Sequence, residues 1–268
     1  MAHSNDSRVP YGVVGVPQVG GAFDKFEMHA TPKFNLGFKV ESADGKVYRY
    51  SHFGADVTRG VLVAADLSES SVVDTDNAII ASASAVTTTD GLIGDKYIQI
   101  TLASVIVDQY AGSTLITTDD AGEGYTYDIV GNTATDDPAT GDIRLQLAQP
   151  LQVAVTTATD FAIMGNQYNN LEIATTTDVG ISGVTCSVMD VSVAKYGWIQ
   201  TKGRCGILSD GTTVIGGIVT LSDSTSGAVQ PIAGGGTDVT DVISEPIVGF
   251  CVIAGDSGGA AGIIMNLE

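Results

Sequence analysis

The residues best suited to covalent chemistry lie near the end of the sequence, in the run Gly255-Asp256-Ser257-Gly258-Gly259. A serine hydroxyl becomes a nucleophile when a histidine takes its proton and a buried aspartate orients that histidine. Flanking glycines let backbone N–H groups approach the oxyanion that forms during acyl transfer. The run therefore makes Ser257 a candidate nucleophile, which would need a histidine and an aspartate from elsewhere in the chain.

This run resembles the nucleophile region of chymotrypsin-like serine proteases, but the rest of that pattern is missing. The candidate bases are His29 and His52, and Asp95 follows His52 at a plausible spacing. His52 lacks the small residues before it and the cysteine after it that surround the catalytic histidine of those proteases. Only nine residues follow Gly259, whereas the proteases need two further strands to build the substrate pocket. We therefore interpret the run as a hairpin turn and expect the protein not to be an enzyme.

Acidic loops are the second group of residues that could carry chemistry, because carboxylate and carbonyl oxygens are the ligands of Ca²⁺. None of them has the full spacing of a known calcium loop, so we expect solvated turns and no metal or cofactor. The loops are Asp74-Thr75-Asp76-Asn77, Asp119-Asp120-Ala121-Gly122-Glu123 and Asp136-Asp137.

A basic cluster stands out in this acidic chain. Lys195, Lys202 and Arg204 flank Tyr196 and the single tryptophan, Trp198. Positive charge beside large aromatic side chains is typical of a docking patch for another protein. The alternative is a tryptophan buried in the core with solvated basic neighbours.

Residues 1–34 differ from the rest, with prolines among glycines and no sustained hydrophobic period. Such a stretch forms neither a helix nor a central strand, so we predict an extended N-terminal arm. The arm lies either on a neighbouring subunit or partner, or on its own domain. In the first case its interface candidates are Val9, Pro10, Tyr11 and Pro17.

From residue 35 onward the hydrophobic period is two, which predicts β-strands. Residues 97–102 and 142–147 alternate most cleanly, and Asp44-Gly45 indicates a hairpin. Further strands are predicted over residues 34–40, 46–53, 125–130, 151–155, 171–175, 185–194, 197–201, 213–221, 247–254 and 262–267.

Many short strands with frequent turn signals predict an all-β protein made of antiparallel sandwich or barrel domains. Composition changes near residue 176, from Thr- and Asp-rich segments to longer and more apolar strands. We therefore predict an arm over residues 1–34, a β domain over 35–175 and a C-terminal barrel or sandwich over 176–268.

Charge excludes several classes of partner. The net charge of −19 opposes binding to a phosphate backbone and to an anionic membrane. No apolar run is long enough to span a bilayer, and the first residues have no signal-peptide pattern.

The three cysteines, Cys186, Cys205 and Cys251, form neither a disulfide framework nor a zinc motif. We expect buried thiols in a protein made in a cytoplasm.

Several stretches of the chain resemble capsid decoration proteins, also called cement proteins, of tailed bacteriophages. The first part of the resemblance is carried by Phe38-Lys39-Val40, Asp44-Gly45-Lys46-Val47-Tyr48-Arg49-Tyr50 and Gly54-Ala55-Asp56-Val57-Thr58-Arg59-Gly60-Val61-Leu62-Val63. The later part is carried by Tyr196-Gly197-Trp198-Ile199-Gln200-Thr201-Lys202-Gly203, Gly216-Gly217-Ile218-Val219-Thr220-Leu221, Ile247-Val248-Gly249-Phe250 and Ile263-Ile264-Met265-Asn266-Leu267. The middle, with Gly122-Glu123-Gly124-Tyr125-Thr126-Tyr127-Asp128-Ile129, is similar to structural proteins of phages from aquatic bacteria.

The resemblance implies a β-rich protein on the outside of an icosahedral head, made in the cytoplasm of the host bacterium. It implies binding to the major capsid protein, self-association as a homotrimer, and stabilisation of the shell against packed DNA. A tail, fibre-base or host-surface-binding protein of the virion is the alternative, and a trypsin-like hydrolase is a more distant one.

Overall fold

The computed structural model of this protein describes residues 23–65, 91–101, 105–134, 142–156, 159–175, 178, 180–232 and 246–268. Two compact units can be distinguished. Unit 1 comprises Met1–Ala65 and Gln167–Glu268, and unit 2 comprises Asp66–Asn166. The described residues of both units form antiparallel β-sheets, which confirms the predicted all-β class.

The strands are numbered in chain order. They are β1 (Lys39–Glu41), β2 (Val47–His52), β3 (Leu62–Ala65), β4 (Tyr97–Thr101), β5 (Thr114–Asp119), β6 (Thr126–Asn132), β7 (Asp142–Leu147), β8 (Asp160–Met164), β9 (Leu171–Ile173), β10 (Ile181–Thr185), β11 (Tyr196–Leu208), β12 (Ile218–Leu221), β13 (Val229–Pro231), β14 (Ile247–Ile253) and β15 (Ala260–Asn266).

Unit 1 is built on one sheet in the order β13-β12-β14-β15-β11-β10-β3-β9, with the β1–β2 hairpin attached to β11. The long strand β11 organises this sheet, because β2, β10 and β15 all pair with it. Asp44 and Gly45 form the predicted turn of the β1–β2 hairpin, where Gly45 has a φ of 79°. Positive φ strains a residue with a Cβ but not glycine, so the turn closes here.

An aromatic cluster lies on one side of the β2–β11 pair. Tyr48, Tyr50 and Trp198 are buried there. Residues 23–34 complete the cluster: the ring centroids of Phe23 and Trp198 are 5.0 Å apart, and those of Phe34 and Tyr50 are 5.2 Å apart. The described end of the predicted arm thus packs on its own unit, the second of the two alternatives. Residues 1–22 lie outside the described residues, and so do the interface candidates Val9, Pro10, Tyr11 and Pro17.

Unit 2 contains a five-stranded antiparallel sheet in the order β4-β7-β6-β5-β8. Its core is separate from those of unit 1 and is formed by side chains that alternate along the strands, such as Ile98 and Ile100 of β4 and Ile143 and Leu145 of β7. The alternating strands predicted over residues 97–102 and 142–147 are confirmed by β4 and β7.

Two predicted strands are wrong. Residues 151–155 form no strand, although Leu151 and Val155 are buried. Residues 185–194 do not continue as a strand either, because β10 ends at Thr185 and a turn begins at Asp190. The backbone carbonyl of Asp190 accepts hydrogen bonds from the N–H groups of Val193 and Ala194. Five strands were not predicted, namely β3, β5, β8, β10 and β13.

The division into units also differs from the sequential one expected at residue 175. The strands β2 and β3 precede unit 2 in the chain but pair with β11 and β10, which follow it. Unit 2 is consequently inserted between β3 and β9. No helix in the described part of the chain is long and apolar enough to cross a bilayer.

Candidate protein-binding surface

Ser257 lies in the turn between β14 and β15, which pair as an antiparallel hairpin as predicted. Its hydroxyl is one of the groups that lower the pKa of Asp210, after the stronger hydrogen bonds from Ser222 and Ser224. The carboxylate of Asp210 thus lies near Ser257, but neither described histidine lies there to take the proton of the hydroxyl.

The two histidines of the described chain have other partners. Nδ1 of His52 is 3.0 Å from Oδ1 of Asn169, and burial lowers the pKa of this imidazole. Nδ1 of His29 is 2.9 Å from the hydroxyl of Tyr50, while its Nε2 is 2.8 Å from Glu27. Both rings therefore belong to the packing around β2 rather than to a site with Ser257.

The acidic loops are placed only in part. Asp119, Asp120 and Glu123 are exposed on the turn between β5 and β6. The other two predicted loops, 74–77 and 136–137, lie outside the described residues. Among the residues that are described, no group of three or more His, Cys, Asp or Glu side chains is arranged to hold a metal ion.

The predicted basic docking patch does not form one surface. Trp198 is only 4% exposed and packs in the aromatic cluster, so its side chain is not open to a partner, and Tyr196 is half-buried. Lys195 precedes β11, whereas Arg204 lies nine residues further along the chain. At about 3.3 Å per residue, this spacing separates them by up to about 30 Å. Lys195, Lys202 and Arg204 are exposed, which matches the alternative of a core tryptophan with solvated basic neighbours.

A different surface stands out on unit 1: large apolar side chains in register on neighbouring strands. Phe250 of β14 lies opposite Ile218 of β12 on one side and opposite Ile264 of β15 on the other. Phe250 is 52% exposed, and the two isoleucines are 37% and 39% exposed. Val252 and Ile253, at the end of β14, extend the exposed surface. We call these five residues the apolar face.

The sequence contained a signal for the apolar face. Residues 247–253 are apolar without a break, whereas a strand with one face in water normally alternates. Both faces of β14 therefore had to be apolar. In the structure one face carries the buried Val248 and Cys251, and the other carries Phe250 and Val252.

Next to the apolar face, unit 1 has a basic cleft of about 890 Å³. Four cations line it, Lys25, Lys46, Arg59 and Arg204, and its lining contains no Asp or Glu among the described residues. Arg204 connects the two surfaces, because it lies opposite Ile264 in the β11–β15 register. Val252 and Ile253 belong to both the apolar face and the cleft wall.

The thiols of Cys186 and Cys205 lie on the cleft lining. Burial raises the pKa of each to about 12, against a smaller opposing effect of the Lys25 charge. Both thiols are therefore neutral at physiological pH, and they add no negative charge to the cleft. No disulfide links the three cysteines, and Cys251 is fully buried.

Comparison of the chain with protein-family models, with curated protein sequences and with solved structures finds no match.

Proposed function

We propose that this chain is a structural protein of a tailed-phage virion, which decorates the outer surface of the icosahedral capsid and stabilises it by bridging major capsid subunits. The observation that carries this proposal is the apolar face. An exposed row of large apolar side chains across three strands is costly in water and is typical of a surface that another protein covers.

The charge of the molecule supports the same role. A net charge of −19 suits the outside of a shell rather than its DNA-facing interior, because packed DNA repels it. Repetition of a modest contact over a symmetric lattice gives avidity, so a single small face is sufficient for stable attachment. The resemblance to decoration proteins in β2, β11 and β14 supplies the phage capsid as the partner and a homotrimer as the assembly.

The first experiment is the copy number of the chain in purified virions, measured by quantitative mass spectrometry against the major capsid protein. We expect a ratio near that of the shell protein or a simple lattice fraction of it. A few copies per particle would place the chain in the tail, the fibre base or a host-binding structure. Absence from the particle would contradict a virion role and reopen the chemistry of Ser257.

The apolar face is tested by substitution. We expect Phe250→Ser to weaken attachment to shells of the major capsid protein by about tenfold or more, because buried aromatic residues dominate interface energetics. Val193→Ser is the matched control, since Val193 is a 70% exposed apolar residue of the same unit away from this face. Equal binding by the two variants would exclude the apolar face as the attachment surface.

The contribution of the arm requires a shorter truncation than the whole of residues 1–34. Phe23, His29 and Phe34 belong to the packing of unit 1, so their removal would disturb the fold as well as any interface. Deletion of residues 1–22 leaves those contacts in place. We expect this deletion to weaken capsid attachment without changing the circular dichroism spectrum.

A further inference from the structure

The basic cleft is the least expected feature of so acidic a molecule. Four of the 12 basic side chains of the chain line it. Lys46 forms an ion pair with Asp44, whose pKa falls to about 2 because of that contact. Arg59 and Arg204 are exposed, and neither forms an ion pair with a carboxylate of the described residues. Two guanidinium groups are thus available to an anion from outside.

The chemistry of the floor restricts the occupant further. The lining includes the exposed Val252 and Ile253, the half-buried Leu208 and the two neutral thiols. A simple inorganic anion would leave this apolar surface exposed to water. An occupant that matches the whole cleft carries negative charge towards the arginines and apolar groups towards the floor.

The shape of the cleft favours a polypeptide. It is open to solvent and continues directly into the apolar face through Val252 and Ile253, whereas small-molecule sites generally enclose their ligand. Part of its rim consists of the glycines at positions 60, 206, 258 and 259. Without side chains at these positions, the backbone of an extended segment can approach closely. Nucleic acid is disfavoured because its regularly spaced phosphates would extend beyond the cleft onto an acidic molecule, whereas a short peptide segment can confine its carboxylates to the cleft.

We propose that the basic cleft binds an acidic, extended peptide segment of the protein that covers the apolar face. Carboxylates of the segment pair with Arg59 and Arg204, and its alternating apolar side chains pack against Leu208, Val252 and Ile253. The arginine pairs are charge-assisted and favour bidentate geometry, so they set the register of docking. This inference rests on the proposed function, because it identifies the kind of segment that the bound partner contributes.

The test uses the full chain and a fluorescein-labelled peptide of alternating Glu and Leu, with fluorescence anisotropy as the readout. We expect saturable binding that weakens about tenfold between about 50 mM and 500 mM salt, because these charges are at the surface and are screened. A Gln-Leu peptide of the same length should bind at least about tenfold more weakly. Equal binding of the two peptides would overturn the assignment of an acidic segment.

Charge reversal identifies the site. We expect the double variant R59E/R204E to lose binding of the Glu-Leu peptide. The control K96E/K195E changes the net charge by the same amount at exposed lysines outside the cleft, and it should bind like the unmodified chain. A control that loses binding to the same extent would show an effect of overall charge and overturn the cleft as the site. Competition by octanoate as effective as that by unlabelled peptide would overturn the peptide as the occupant in favour of a small aliphatic acid.

The two proposals fail separately. If the chain attaches to capsid shells but does not bind the Glu-Leu peptide, the cleft assignment is wrong and the decoration role stands. If the peptide binds in the cleft and the chain is absent from virions, the capsid is the wrong partner and the acidic-segment site stands.

Discussion

At the scale of single residues, the best-formed charge pair in the structure joins β2 to Glu268. The Nε and Nη2 groups of Arg49 donate hydrogen bonds to the two carboxylate oxygens at 2.9 and 2.8 Å. The hydroxyl of Thr201 donates a third at 2.7 Å. Because these contacts favour the ionised form, the pKa of Glu268 falls to about 2, with Arg49 as the largest cause.

A carboxylate with a lowered pKa stabilises the folded state above its ordinary pKa, and this contribution disappears as the pH falls towards the lowered value. We expect Glu268→Gln to reduce the free energy of unfolding by about 1 kcal/mol at pH 7, since the pair is partly exposed. The difference from the unmodified chain should shrink below about pH 4.5 and be largely lost by about pH 2. Urea unfolding across this range measures it, and Glu123→Gln, which removes an exposed carboxylate that forms no ion pair with a described residue, is the control. A difference at pH 2 as large as that at pH 7 would contradict the mechanism.

The buried thiols have the opposite effect on stability: their contribution to the free energy of unfolding falls as the pH rises. The folded state keeps Cys186 and Cys205 protonated up to about pH 12, whereas unfolded thiols ionise near pH 8.5. Their stabilising contribution is complete below the unfolded pKa and is lost as the pH rises towards 12. Each thiol should therefore lower the free energy of unfolding by up to about 1.4 kcal/mol per pH unit above about pH 9.

The double variant C186A/C205A should show a flatter decline between about pH 9 and pH 11 in the same urea experiment. Some slope will remain, because burial also raises the pKa of Tyr48 to about 12. An unchanged slope in the double variant would show that the thiols are already ionised or exposed in the folded protein.

At the scale of elements, the apolar face depends on the close pairing of β14 with β15. Gly249 lies opposite Met265, and a Cβ at this position would overlap the backbone carbonyl oxygen of Ile264. We expect Gly249→Ala to destabilise the protein by about 2–4 kcal/mol, because backbone rather than a flexible side chain must move. Gly206→Ala is the control, since a Cβ there meets nothing within 4 Å and should change stability by less than about 1 kcal/mol. Thermal unfolding of both variants gives the comparison.

How far the elements could be predicted depended on the surroundings of each strand. Strands β4 and β7 each turn one face to a single core, so their side chains alternate and the pattern revealed them. Strand β3 is buried on both faces and reads only as a short apolar run, Leu62–Ala65, which gives no period to detect.

The candidate surface was predictable only in part, for a similar reason. Arg204 was an interface candidate on the basis of its local sequence. Its neighbours Ile264 and Phe250 lie on strands distant in the chain, and only the register of β11, β15 and β14 brings the three together. Trp198 was attractive as an isolated aromatic residue, but it packs against β2 and against phenylalanines from residues 23–38, and no local pattern reveals that packing.

At the scale of the whole molecule, the negative charge is distributed unevenly between the units. Unit 2 has 15 acidic and two basic side chains, whereas unit 1 has 16 acidic and ten basic ones. Their net charges are therefore −13 and −6. The positive charge needed to bind an acidic segment is concentrated in unit 1, the unit that carries the apolar face.

Because the two chain connections between unit 2 and unit 1 lie close together, we expect that unit 2 can be removed without unfolding unit 1. It leaves unit 1 after Ala65 and returns before Leu171, and these two residues are paired partners of β3 and β9. Paired residues of antiparallel strands have Cα atoms about 5 Å apart, so a short Gly-Ser linker can replace residues 66–166 without moving either strand. Each unit also has its own buried core.

We expect the shortened chain to keep the sheet of unit 1, with a melting temperature within about 5 °C of the corresponding transition in the full chain. The amide NMR spectrum of the shortened chain should overlay the unit 1 resonances of the intact protein, and it should still bind the Glu-Leu peptide. Loss of dispersed amide signals would show instead that unit 1 cannot fold without the inserted unit.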